Sequence, residues 1–143
     1  MKHAASEDGV VENSPEKFQK EVGMNKINIA DKLNQISEHW RPKVVGELNG
    51  QEVKLVKFRG EFLWHHHELE DELFLGIRGN FRVEFRDHSV SVEPGEFIIV
   101  PHGVEHRTVA TEEAHVLLFE PAAVRNTGNV IDPKLTAPTG DRL

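Results

Sequence analysis

From Val44 onward the chain breaks into short segments of alternating apolar and polar residues, most of them closed by a glycine or proline turn. Side chains on a strand alternate faces, so this period-two pattern marks half-buried β-strands. Residues 53–58 form one such segment, closed by Arg59-Gly60, and residues 61–67 a second. Residues 72–77 form a third, ended by Arg78-Gly79-Asn80, and residues 81–85 alternate strictly between apolar and charged. Asp87-His88 turns into residues 89–92, and after Pro94-Gly95 the apolar run 97–100 reads as a buried strand. Residues 108–109 and 115–119 complete the set. Many short strands with such punctuation point to an all-β barrel or sandwich. Phe62, Phe74, Phe81, Phe85, Phe97 and Phe119 are expected in its core, and only secondarily as pocket walls.

The flanks read differently. Ile29, Leu33, Ile36 and Trp40 recur at helical spacing, with Asn28 as N-cap and Pro42 as a stop. This predicts a short helix over about 29–38, its apolar stripe packed on the outside of the barrel or against a partner subunit. At 143 residues the chain suits one domain. The expected division is a polar extension over 1–23, a helical lead-in over 24–43, the barrel over 44–121 and a tail over 122–143. No function attaches to the first stretch, and Met24 is an alternative start. Pro133 and Pro138 punctuate the tail, which is expected to wrap the domain or a partner, or to be mobile.

Composition narrows the chemistry. There is no cysteine, which excludes disulfides, thiolate zinc sites, iron–sulfur clusters and a cysteine nucleophile. Nine histidines remain, so a metal site here must be built from imidazole and carboxylate, a donor set suited to Fe, Mn, Ni, Zn or Co. The net charge of −7, with no basic cluster, argues against nucleic acid. No apolar run reaches the roughly 20 residues that span a bilayer. The amino terminus has no apolar core of a secretion signal, so a cytoplasmic protein is expected.

The segment Trp64-His65-His66-His67-Glu68-Leu69-Glu70-Asp71-Glu72 carries the chemistry. With Trp64 and His66 facing out, His65 and His67 face the barrel interior together and can chelate one ion. A tight turn then lets Glu72 open the neighbouring antiparallel strand and add a carboxylate oxygen. A fourth donor is available at His106, which follows the buried strand and the Pro101-His102-Gly103 corner. Each feature alone has a plainer reading. A His-x-His run is equally a solvated cluster, and a lone His106 is more often a satisfied core histidine.

Together the two blocks resemble the paired motifs of the cupin superfamily, H-x-H-x4-E-x6-G and G-x5-P-x-G-x2-H. His65, His67, Glu72 and Gly79 match the first; Gly95, Pro101, Gly103 and His106 match the second. Gly60 lies one residue closer to His65 than the family's upstream glycine, and Ala110 stands where an asparagine often closes the second motif. The resemblance covers about residues 44–121 and implies a double-stranded β-helix (jelly-roll) barrel preceded by a short helix. It implies one divalent transition metal held by His65, His67, Glu72 and His106. The chain is most similar to short single-domain cupins of the mannose-6-phosphate isomerase-like kind, whose post-barrel segment resembles Arg125-Asn126-Thr127-Gly128-Asn129-Val130. A shared fold does not establish a reaction.

Other polar residues are placed by alternation. His66 belongs to the surface, and His102 is either an exposed loop residue or part of the pocket mouth. Glu105 points away from the metal. Asp71 either sits in a solvated turn or hydrogen-bonds a ligand imidazole. His115 is either a hydrogen-bonded core histidine or a residue facing the interior to reach substrate. No general base is identified, and catalytic residues stay unassigned. Two functions remain: a small metalloenzyme of isomerase, decarboxylase or dioxygenase type acting on a small oxygenated metabolite, or a non-catalytic metal- and ligand-binding sensor or accessory protein. A homodimer is expected, since two-fold dimers are commonest and a short barrel leaves sheet edges to pair.

Overall fold

The computed structural model describes residues 24–143; the amino-terminal extension lies outside the described residues. It is an antiparallel β-barrel of seven strands preceded by one helical turn, α1 (Ile29–Leu33). The strands are β1 (Lys43–Leu48), β2 (Gln51–Glu61), β3 (Glu72–Arg78), β4 (Phe81–Glu84), β5 (Ser89–Val92), β6 (Phe97–Val100) and β7 (Arg107–Pro121). One sheet runs in the order β1-β2-β7-β3-β6, and β4 joins β5 to the first part of β7. Strand β7 therefore belongs to both layers. The segments expected at 108–109 and 115–119 are one strand, interrupted where β2 shifts register between Phe58 and Gly60.

Inward residues of both layers make the core: Val56 and Phe58 from β2, Phe74 from β3, Phe81 and Val83 from β4, Val92 and Val100, and Ala110, Ala114, Val116 and Leu118 from β7. The motif glycine Gly79 is required at the β3–β4 turn. Its φ is +74°, and a Cβ there would lie 2.6 Å from the Glu113 carbonyl oxygen.

Two expectations change. The strand at 97–100 is covered on one face only, because β6 pairs with β3 alone and forms the sheet edge. Val100 is buried, but Phe97 is 61% exposed and Ile99 52% exposed, so Phe97 is not a core residue. Phe119 lies half-buried on the outer face, while Phe62, Phe74 and Phe81 are buried and Phe85 packs at the core's margin. The helix is also shorter than predicted. Asn28 caps it, its Oδ1 accepting the Asp31 N–H at 2.9 Å, but the chain then tightens into i→i+3 turns at Gln35 and Ile36. Trp40 leaves the helical stripe. It adopts φ 65° and stacks on Phe58 and Phe62, with its Nε1–H donated to the Arg59 carbonyl. Burying the indole at the barrel mouth replaces another helical turn that would have little stability of its own. Leu33 and Ile36 pack as expected on the barrel's outside, against Leu55 and Leu117.

Gly79→Ala is expected to destabilise the fold by about 2 kcal/mol or more, because left-handed strain and a backbone clash add. Gly95→Ala, at φ +88° but facing open space, pays only the strain. Urea denaturation of the two variants checks this: equal midpoints would contradict it.

Candidate metal centre

The barrel narrows where two histidines face each other. His65 and His106 form an isolated antiparallel bridge, with His65 N–H donating to the His106 carbonyl at 3.0 Å and the reverse bond at 2.9 Å. Residues opposed in this way project side chains to the same face, and their rings lie 4.5 Å apart. His67 follows two residues later on that face, and its carbonyl accepts the Gly103 N–H at 2.7 Å. That bond ties the Pro101-x-Gly103 corner to the first motif. Glu72 enters from the first position of β3.

All four side chains are buried, and one donor atom from each lies within 4.8 Å of the others. Glu72 Oε1 is 3.3 Å from His67 Nε2 and 3.8 Å from His106 Nε2. The tautomers of two rings follow from their partners. His65 Nδ1 meets the Leu63 carbonyl at 3.0 Å, and His106 Nδ1 meets the Val104 carbonyl at 2.9 Å. A carbonyl only accepts, so each Nδ1 carries the proton and each Nε2 turns a lone pair inward. His67 Nε2, Glu72 Oε1 and His106 Nε2 are buried without a hydrogen-bond partner. Orphaned acceptors are costly in a protein interior, and a cation among them would satisfy the whole set. The cluster could hold a metal ion.

Electrostatics agree. Burial lowers His65 to about 3 and His106 to about 4, with neighbouring imidazoles adding to the effect. Burial lowers His67 as well. The rings are therefore neutral and available as ligands at pH 7. Burial raises Glu72 to about 7, opposed by neighbouring Glu120 and by the charge of Lys54.

Beside the cluster lies a buried pair that the sequence pattern does not reveal. Lys54 and Glu120 are both buried, with Lys54 Nζ 2.9 Å from Glu120 Oε2 and 3.5 Å from Glu52 Oε1. They share the inward faces of β2 and β7 with Val56 and Leu118. Alternation counted back from Phe58 places Lys54 inside; the apolar neighbours Val53 and Leu55 mask this.

A cavity of about 30 Å³ adjoins the cluster, with His65 and Glu72 in its wall beside Trp40, Phe58, Phe62 and Asn126. Trp40 and Asn126, which form part of it, come from the lead-in and the tail, where barrel periodicity offers no signal.

The remaining polar residues lie apart from the cluster. Trp64 faces out beneath Arg86, and His66 turns outward to Glu68. Glu105 pairs with Arg86, away from the site. Asp71 does not support a ligand imidazole; its Oδ1 holds exposed His102 through Nδ1 at 2.8 Å and the backbone N–H at 2.9 Å. His115 does not face the interior. It lies on the opposite side of β7 from Val116 and Leu118, bonded to Glu113 at 2.9 Å.

The cupin-domain family profile matches residues 52–120. A solved cupin-2 domain protein of Shewanella frigidimarina is 41% identical, with 66% of this chain and 93% of that one covered and a TM-score of 0.66. This chain is a cupin. The solved protein NMB1881 of Neisseria meningitidis is 30% identical, covering 68% of this cupin and 100% of that chain, with a TM-score of 0.64. An uncharacterized protein of Bacillus subtilis (strain 168), YdbB, is 33% identical over 57% of this cupin and 73% of its own length. The matched region holds both motifs, and the jelly-roll architecture expected from them is the one observed. Among the described residues no helix is long and apolar enough to cross a membrane.

In metal-free protein Glu72 holds its proton up to about pH 7, whereas the unfolded carboxyl loses it near 4.5. Its contribution is thus full below 4.5 and lost as pH rises through 7. Relative to wild type, Glu72→Gln should gain stability across that interval, read as urea midpoints in chelator. A difference that stays constant with pH would contradict the assignment.

Proposed function

We propose that this cupin binds one divalent transition metal ion through His65 Nε2, His67 Nε2, Glu72 Oε1 and His106 Nε2, and acts with it on a small oxygenated metabolite. The observation that carries this reading is the convergence of four buried donors, three of them without any other partner. Three imidazoles and one carboxylate would leave one or two positions open on a five- or six-coordinate ion, where it would supply Lewis acidity to a bound oxygen. The chain's own contribution is orientation and exclusion of water. The Leu63 and Val104 carbonyls fix two rings, and Trp40, Phe58 and Phe62 close the approach.

Among the described residues, His65 and Glu72 are the acidic, basic or imidazole side chains that line the cavity. Chemistry there would draw its charge from the ion, which favours metal-centred isomerisation, decarboxylation or, with iron, dioxygenation. Among the described residues no Lys or Arg lines the cavity to favour a phosphorylated sugar as the metabolite. A second reading is a non-catalytic metal- and ligand-binding cupin that acts as a sensor or accessory protein, favoured by the scarcity of polar groups in the cavity wall; in either reading we place the protein in the cytoplasm. Turnover of candidate metabolites by the loaded protein, against binding that leaves them unchanged, separates the two.

Elemental analysis of untagged protein is expected to find close to one Fe, Mn, Ni, Zn or Co per chain, lost in His106→Ala and in Glu72→Ala. Wild-type protein that holds no metal, and takes up none when each is offered, would overturn the proposal.

The proposed assembly is a homodimer. The outer sheet face is only partly covered by α1, which sits on Leu55 and Leu117. Beyond it Phe97, Ile99, Leu73, Leu75 and Phe119 are neighbours in register across β6, β3 and β7, ending at the open edge of β6. An uncharged patch of this kind can pair with its own copy about a two-fold axis. Light scattering at micromolar concentration should give a dimer, and Ile99→Lys a monomer. A monomeric wild type would rule it out.

A further inference from the structure

The post-barrel residues Arg125, Asn126, Thr127, Gly128 and Asn129 donate nothing to the cluster of four, yet each is held by specific bonds. Arg125 Nη1 donates to the Gly128 carbonyl at 3.0 Å. Asn126 donates from Nδ2 to the Trp40 and Leu135 carbonyls and accepts the Ala137 N–H on Oδ1. Thr127 is fully buried, its hydroxyl donating to the Val130 carbonyl at 2.6 Å. This internal bracing makes the loop a rigid body rather than a loose tail.

The rigid body rests on the two peptide groups that flank His66 in the barrel. Asn129 N–H donates to the His66 carbonyl at 3.0 Å, and the His66 N–H donates to Asn129 Oδ1 at 2.9 Å. Both backbone polar groups of the residue between His65 and His67 are therefore held by Asn129. Gly128 closes the contact. A Cβ on it would lie 2.2 Å from the His66 carbonyl oxygen and 3.0 Å from His65 Cδ2. On an extended segment, a shift of residue 66 swings the side chains on either side of it together.

We propose that Gly128 and Asn129 are positioning residues for the metal centre: they lock the peptide groups on both sides of His66 and so set the aim of the His65 and His67 rings. The inference rests on the metal-binding reading. Neither residue touches the ion. Partners that orient ligands in this way typically change metal affinity about 10- to 100-fold when removed.

The test uses full-length, metal-free protein titrated with Co(II), read both as a dissociation constant by competition and as visible ligand-field bands. Gly128→Ala should weaken Co(II) binding about 10-fold or more and shift the bands. Gly140→Ala is the control, in the same tail at φ +71° but with nothing within 4 Å of the added Cβ. It bears the same left-handed strain without the clash, and should bind Co(II) as wild type does. Asn129→Ala keeps the glycine and removes only the side-chain bond; it should move affinity and bands in the same direction as Gly128→Ala, and decides the matter if Gly128→Ala does not fold. Folded variants with wild-type affinity and bands would overturn the proposal, as would an equal loss in Gly140→Ala. A wild type that binds no Co(II) would overturn the metal reading itself.

Discussion

The paired backbone bonds between His65 and His106 are the constraint on which the site depends. They bring two motifs some forty residues apart into one face-to-face pair and force both imidazoles inward. Everything else at the centre is adjustment around that pair. His67 follows by strand alternation, Glu72 by the turn into β3, and the Gly103 corner is stapled to the His67 carbonyl. The cost is a buried set of lone pairs with no protein partner. A cation placed among these donors would satisfy them all at once, which is why the metal reading is the one proposed.

Much of this was legible because barrel strands obey a strict period. Trp64 and His66 outward with His65 and His67 inward is alternation read directly, and the structure keeps it. The turn glycines were legible as well, since Gly79 occupies a backbone state with no room for a side chain. Alternation failed where only one neighbour decides burial. The run from Phe97 to Val100 is uniformly apolar, but the sheet ends there, so half of it meets solvent. His115 followed the apolar residues Leu117 and Phe119, which line the outside of β7 rather than its core.

The least legible features come from outside the strands. Trp40 has the spacing of a helix face, but stacking on Phe58 and Phe62 outweighs one more turn of a five-residue helix. Gly128 and Asn129 lie in a tail without periodicity, and their contacts exist only once the chain has folded back on His66. Lys54 and Glu120 were hidden by apolar sequence neighbours, although each follows the inward register of its strand. Burial and the neighbouring Glu72 carboxyl push Glu120 well above its ordinary range, opposed by Lys54, so the charge near the cluster is set by more than the four donors.

The central claim is that one ion is held at the meeting point of His65, His67, Glu72 and His106. The most direct measurement is anomalous diffraction from crystals of metal-loaded protein, collected on either side of the ion's absorption edge. The account predicts a single strong peak within bonding distance of the three Nε2 atoms and Glu72 Oε1. A peak elsewhere, for example beside the exposed His102–Asp71 pair, or no peak in protein shown to contain metal, would contradict it.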